Sequence, residues 1–278
     1  MSNLDLFSGK DKAEIAIERL QTFEPKDGSG YYCAFSGGKD SIVILNLLKR
    51  SGCKFDAHYQ FTSVDPPELV KFIKQEYPEV EIHKPKETMF QLIARKGIVP
   101  TRRIRFCCSE LKEKGGEGRF VVVGIRWAES YGRSKRKMVE ACFKDSRKFY
   151  IRPIIDWTDE DVWSYIKDRE IKYCSLYDEG FKRIGCVMCP MAGTNQMLRD
   201  EQRWPKIAKA YQGAIAKAIL TRREKGLSCK EDFATAEKLY HWFIYQSEKI
   251  KPNQTKIEWE ADAKRYEEDE LEPPVMFE

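Results

Sequence analysis

The chain has 278 residues, of which 42% are apolar, 33% charged and 12% aromatic, with a formal net charge of +5. That length allows one large domain or two small ones, and the aromatic content excludes disorder for most of the chain. Its longest apolar runs, residues 42–48 and 120–125, fall far short of the roughly 20 residues a bilayer span requires. The opening Met1-Ser2-Asn3-Leu4-Asp5 has no basic n-region and no apolar h-region, so a cytoplasmic protein without a leader or a membrane association is expected. Nine cysteines in such a protein point to metal or redox chemistry rather than to a disulfide framework.

The apolar side formed by Ala13, Ile15, Ala16, Ile17 and Leu20 predicts a helix over Lys10–Phe23. Residues 24–30 read as a loop, Tyr31–Phe35 as a strand, and Asp40–Arg50 as a helix after a glycine-rich turn. Lys54–Phe61 is a second strand. Asp65-Pro66-Pro67-Glu68 then opens a helix reaching about Tyr77. Val80–His83 is a third strand, and Phe120–Ile125, nearly all apolar and largely β-branched, the clearest buried one. Thr158-Asp159-Glu160-Asp161 resembles a capping box before Val162, Trp163 and Ile166. Strands alternating with helices predict an α/β fold, a parallel twisted sheet with flanking helices. Beyond Gly193 the pattern turns helical, with helices over Arg199–Lys225 and Lys230–Lys249 and an acidic tail from Glu258. The expected division is therefore 1–192 for the sheet domain and 193–278 for the helical region.

Charge is uneven. Residues 95–152 hold 17 Lys and Arg against 6 Asp and Glu, and residues 255–278 hold 3 against 9. The basic middle suits an anionic partner, nucleic acid included, although a solvated surface has the same composition.

Ser36-Gly37-Gly38-Lys39-Asp40-Ser41 follows a predicted strand and opens a predicted helix. Glycines let the backbone approach a ligand closely, and a helix N-terminus offers unpaired N–H groups to phosphate. Neither the Walker A pattern nor G-x-G-x-x-G is present. The segment resembles the pyrophosphate-binding loop (PP-loop) of the adenine-nucleotide α-hydrolase superfamily, which includes ATP pyrophosphatases, tRNA sulfur-transfer enzymes and phosphoadenylylsulfate (PAPS) reductases. The resemblance implies an adenine nucleotide whose phosphates or sulfate rest on residues 36–41.

Cys107 and Cys108 are adjacent, and Cys186 and Cys189 form a distant C-x-x-C. Two such half-sites supply four sulfur ligands, which suit zinc or an iron–sulfur cluster. Arg102, Arg103, Arg105, Lys112 and Arg183 favour the thiolate form. A buried apolar role or a thioredoxin-like pair are the plainer alternatives. Adjacent cysteines with a distant C-x-x-C resemble the [4Fe–4S] signature of adenylylsulfate (APS) reductases. Leu176–Phe181 with Ile184–Val187, Pro153–Thr158 with Val162-Trp163, and Gly124-Ile125-Arg126 with Glu129, Ser130 and Arg133 also resemble segments of that family, over about residues 25–192. The resemblance implies that Arg126, Arg133 and Gly124 line a substrate loop. Cys33 and Cys53 read as packing residues. His58, His83 and His241 are scattered and read as surface or packing. Trp204, Tyr211, Tyr240, Trp242 and Phe243 read as helix–helix core.

The sulfonucleotide reductases carry a C-terminal Glu-Cys-Gly-Leu/Ile-His segment whose cysteine attacks the sulfate sulfur; no such segment is found here, and Cys229 is the last cysteine. Three readings stay open. In one, the protein acts on APS or PAPS with Cys229 or a partner thiol as reductant. In another, an acceptor such as tRNA or DNA attacks the α-phosphate of ATP and later receives sulfur from a donor protein. Lys39 and Arg126 would then be catalytic, stabilising phosphate charge, and Mg²⁺ would be held by Asp40 or Asp65. The third is a non-catalytic nucleotide- and redox-sensing module.

Overall fold

In the computed structural model of the protein, residues 11–227 and 234–245 are described. Cys229 and the acidic tail lie outside them. The first helix, α1, spans Lys12–Thr22 and is capped by the Asp11 carboxylate, which accepts from Ala13 N–H. β1 (Tyr31–Phe35) leads into α2 (Lys39–Ser51), β2 (Phe55–Gln60) into α3 (Pro67–Glu76), and β3 (Glu81–His83) follows. α4 (Met89–Lys96) begins at a reciprocal capping box between Thr88 and Gln91, a helix the sequence reading did not anticipate.

β4 (Phe120–Val122), a short α5 (Tyr131–Ser134), and β5 (Val139–Ala141) with β6 (Phe149–Ile151) come next. α6 (Asp159–Asp168) starts at the expected Thr158–Asp161 capping box. The sheet order is β3-β2-β1-β4-β6-β5. All pairs are parallel except β5 with β6. The architecture is therefore the expected α/β one, with one correction: the far edge is an antiparallel hairpin. Its three-residue strands are too short to carry a periodic signal.

Beyond residue 193 the single helix predicted over 199–225 is two, α7 (Thr194–Arg203) and α8 (Pro205–Glu224). Pro205 has no N–H to give to a continuing helix and takes the first position of a new one instead. The last described helix is α9 (Ala236–Tyr245).

By internal contacts the chain forms two units. The first comprises Met1–Gln60, Glu68–His83 and Lys114–Ile184 and contains the whole sheet. Its core is α2 packed on α1, α6 and β1, with Tyr31, Cys33, Ile42, Leu47, Leu48 and Trp157 fully enclosed. The second comprises Phe61–Pro67, Lys84–Glu113 and Gly185–Glu278. There α8 packs on α4, α7 and α9 around Tyr211, Phe243 and Ile215. Tyr211 stacks edge-on against Phe90, with centroids 5.3 Å apart, as the core role expected for the aromatics requires. Residues 185–192 group with these helices.

Candidate functional site

The loop between β1 and α2 is shaped by its second residue. Gly37 sits at φ +69°, and a Cβ there would lie 2.7 Å from side-chain carbons of both Leu69 and Ile73. Only glycine satisfies both the left-handed backbone and the close approach. Ser41 Oγ donates to Gly38 O (2.8 Å) and accepts from Ser36 N–H (3.2 Å), which folds the loop back on itself. Lys39 N–H donates to the Tyr177 hydroxyl at 2.8 Å. The amides of Gly37, Gly38 and Asp40 have no acceptor among the described residues. They are free N–H donors at a helix N-terminus, an arrangement that suits an anion.

Charge around the loop is tightly paired. Lys39 is buried, with its ammonium 3.3 Å from both Asp40 and Asp159 carboxylate oxygens. Arg126 is 1% exposed; it donates from Nε to Asp40 (2.6 Å), from Nη1 to the Trp157 carbonyl (3.1 Å) and from Nη2 to Asp159. Although burial opposes it, Arg126 and Lys39 hold the Asp159 carboxyl below its ordinary value. Burial, with the Asp40 charge nearby, holds the Tyr177 hydroxyl above its ordinary value, so it stays a neutral hydrogen-bonding group.

Gly124 passes so close to α2 that a Cβ would lie 2.9 Å from Asp40 Cβ and 3.0 Å from its carbonyl. Its role in the described geometry is to let the chain after β4 reach Asp40. Arg133 pairs with Glu129, four residues earlier on the same turn. The Arg126 guanidinium is thus taken up by Asp40, Asp159 and the Trp157 carbonyl. Asp159 and Tyr177 complete this site. Asp159 had shown itself in the sequence only as a capping residue, and Tyr177 only as part of a longer segment.

The second unit gathers the four cysteines. Cys107 precedes a five-residue π turn, Cys108–Lys112, closed by Glu113 N–H to Cys108 O at 2.9 Å. Such turns concentrate at functional sites. In the Cys186–Cys189 segment Met188 takes φ +55°, a left-handed conformation uncommon for a side chain of its size. The bend is held by Val187 N–H to Val64 O (2.8 Å) and Met188 N–H to the Asp200 carboxylate (2.8 Å).

Basic groups meet the sulfurs as expected for two of the five named. Arg105 Nη2 lies 3.4 Å from Cys108 Sγ. Lys112 donates to Cys186, and although crowding by protein opposes its charge, Cys186, Asp65 and Cys189 hold its pKa above the usual value. The hydrogen bond from Cys107, with Arg105 and Lys112, brings the Cys108 thiol down to about 5, while Cys107 itself is pushed well up. Surrounding protein pushes Cys186 up. Arg102 instead donates to the Pro190 carbonyl at 3.1 Å.

Asp65 belongs to this unit. It is buried and accepts from Thr62 N–H (2.6 Å) and Thr62 Oγ1 (2.7 Å), and the same hydroxyl is 3.5 Å from Cys186 Sγ. Thr62 is a neighbour of the cysteines that spacing alone did not reveal. Among the described residues, no three of the cysteine sulfurs lie within 4.8 Å of one another. The set is more open than a single tetrahedral zinc ion with Zn–S bonds of about 2.3 Å would require. The chemistry of four thiolate donors would also suit an iron–sulfur cluster.

No described helix is long and apolar enough to cross a membrane. All eight described cysteines are free.

Comparison with known proteins places these features in a lineage. An adenosine 5'-phosphosulfate reductase of Oceanobacillus iheyensis is 30% identical over 196 residues, which is 66% of this chain and 80% of that one. An uncharacterized protein of Methanocaldococcus jannaschii is 30% identical over 196 residues, 66% of this chain and 40% of its own. This chain thus spans less than half the length of that archaeal relative. The crystal structure of a phosphoadenylyl-sulfate (PAPS) reductase from Candida auris overlays on 66% of this chain and 97% of its own, at TM-score 0.48 and 19% identity. The model of the phosphoadenosine phosphosulfate reductase domain matches residues 30–192, and the chain belongs to that family.

Proposed function

We propose that the chain is a cytoplasmic iron–sulfur enzyme acting on an adenine sulfonucleotide, APS or PAPS. The observation that carries the reading is the gathering of Cys107, Cys108, Cys186 and Cys189 in one unit, with Arg105 and Lys112 turned to two of the sulfurs. These four residues would hold a [4Fe–4S] cluster. When bound, it would supply a redox-active, charged centre beside the basic side chains.

The chain's own residues support the binding half of the reaction. The Gly37, Gly38 and Asp40 amides and Lys39 hold the anionic end of the nucleotide. Ser36 and Ser41 fix the loop. Arg126 and Asp159 set the position of Asp40 and Lys39. Arg133 lies on the short α5, beside the turn that carries Arg126, and is paired with Glu129. A thiol reductant attacks the sulfate sulfur, AMP (from APS) or adenosine 3',5'-bisphosphate (from PAPS) leaves from it, and a second thiol releases sulfite while the two thiols become a disulfide.

A second reading is favoured by the lack of a Glu-Cys-Gly-Leu/Ile-His segment in residues 193–278. Here the nucleotide is ATP with Mg²⁺. An acceptor oxygen of tRNA or DNA attacks the α-phosphate and pyrophosphate leaves onto the loop; sulfur from a donor protein then attacks the activated carbon, and AMP leaves with the acceptor oxygen. Asp40 is the better of the two expected Mg²⁺ ligands, because Asp65 is committed to Thr62. The basic stretch 95–152 would attract the acceptor.

Anaerobic purification with iron and sulfide analysis, followed by turnover of APS, PAPS and ATP, tests both. Sulfite release with a thiol supports the first reading. Pyrophosphate release stimulated by nucleic acid replaces it with the second. Nucleotide binding without turnover leaves a sensing module, and a zinc-loaded colourless protein overturns the cluster.

A further inference from the structure

The edge of the sheet carries a cluster that neither the nucleotide loop nor the cysteines use. In the parallel register His58 stands opposite Glu81, and Gln60 opposite His83. Residues two apart share a strand face, so Asp56, His58, Glu81 and His83 project from the same side. His58 Nδ1 and His83 Nε2 are 2.8 Å apart. The Glu81 carboxylate lies 3.4 Å from His58 Nδ1 and 3.7 Å from His83 Nδ1. One ligand atom from each of the three lies within 4.8 Å of the other two.

The other nitrogen of His58 is already committed. His58 Nε2 meets the Asp56 carboxylate, which both Nη atoms of Arg119 grip from the far side. The His58 ring is also stacked on Tyr32, with centroids 4.2 Å apart and planes 9° apart. The imidazole is thus fixed in orientation before any ligand arrives.

We propose that His58, Glu81 and His83 form a transition-metal site of the Zn²⁺ class, separate from the four cysteines. Two imidazoles and a carboxylate are a zinc donor set that leaves a fourth position for water. Asp56 behind His58 supplies the carboxylate–histidine–metal arrangement that orients such ligands. Two ring nitrogens on one tetrahedral zinc stand about 3.4 Å apart, so the pair opens by about half an ångström on binding. The metal would clip β3, a three-residue edge strand, to β2. This inference does not depend on which nucleotide the loop binds.

The test uses the full chain and Zn²⁺ as the probe. Bound zinc is counted after equilibrium dialysis, and its ligands are read by X-ray absorption at the zinc edge. One equivalent with a nitrogen/oxygen shell is expected, and it is lost in His58→Ala and His83→Ala. It is retained when Cys186 and Cys189 are replaced by Ser, which rules out the thiolates as its ligands. Asp56→Asn weakens it 10- to 100-fold. Glu81→Gln, at a largely exposed side chain, keeps the fold and lowers affinity even where a histidine variant fails to fold. Zinc also raises the Tm of the wild type and not of the His83 variant. An unchanged zinc count in the histidine and Glu81 variants, a sulfur-only shell, or no bound zinc overturns the proposal.

Discussion

Single residues at the nucleotide loop act through conformation and through charge, and the two are separable. Gly37→Ala meets a left-handed φ and two side-chain carbons at 2.7 Å. The backbone alone costs about 1–2 kcal/mol, and the contacts add to it. Chemical denaturation should show the destabilisation, and nucleotide binding should fall with it. For charge, Asp40 and Asp159 both answer the buried Arg126 but differ in exposure. Asp40→Asn leaves a buried guanidinium short of its less exposed partner and should cost about 2–3 kcal/mol. Asp159→Asn, at a solvated carboxylate, should cost less than about 1 kcal/mol. Equal losses in denaturant titrations would show that Asp159 is as deeply coupled as Asp40. The loop itself was legible, because its six residues are contiguous and their chemistry is local. Asp159 and Tyr177 were not, since they arrive from more than a hundred residues away through the packing of the first unit. His58 and His83 were read as scattered for the same reason; only the register of two parallel strands brings them together.

At the scale of elements, the bend that presents Cys186 and Cys189 depends on α7. Asp200 in that helix accepts the Met188 N–H at 2.8 Å and a Gln196 donor at 2.7 Å. Burial raises its pKa. Asp200→Asn keeps an oxygen for Met188 while removing a charge from a poor environment, so stability should be unchanged or slightly improved at neutral pH. Asp200→Ala orphans the buried N–H and should cost about 1–3 kcal/mol, with weaker metal retention by the cysteines. A raised folded pKa means that stability is greatest below the ordinary carboxylate range and declines as pH rises through the raised value. The Asn variant should lack that decline. Helix existence was readable from periodicity and caps, as at α1 and α6. The break at Trp204-Pro205 was in the sequence too, but the charged pattern on both sides masked it. The β5–β6 hairpin and the π turn had no signal of their own, being three to five residues long and defined by what they pair with.

For the molecule as a whole, pH dependence is set by carboxylates that the fold keeps ionised. Arg119 with His58 holds Asp56 low, Arg126 with Lys39 holds Asp159 low, and Lys12 holds Asp161 low, each against burial. A lowered folded pKa gives stability that is complete above the unfolded value and lost as pH falls through the folded one. Thermal unfolding should therefore change little between pH 7 and about 5 and decline below about 4. A Tm that falls already between pH 7 and 6 would point to histidine titration instead. The two units do not follow chain order, and the contacts that group Phe61–Pro67 and Lys84–Glu113 with the late helices leave no compositional mark.

The strand order has a consequence for synthesis. β1 sits in the middle of the sheet, between β2 and β4, yet β4 begins at Phe120. On the ribosome, β1 and β2 emerge and pair while the other side of β1 waits for some 85 further residues. At ordinary elongation rates that wait is on the order of ten seconds. For that time an apolar run, Tyr31-Tyr32-Cys33-Ala34-Phe35, offers an unpaired backbone edge to any neighbouring nascent chain. Yield in cells should thus respond to translation speed and to chaperones that shield nascent strands, more than the stability of the finished protein would suggest.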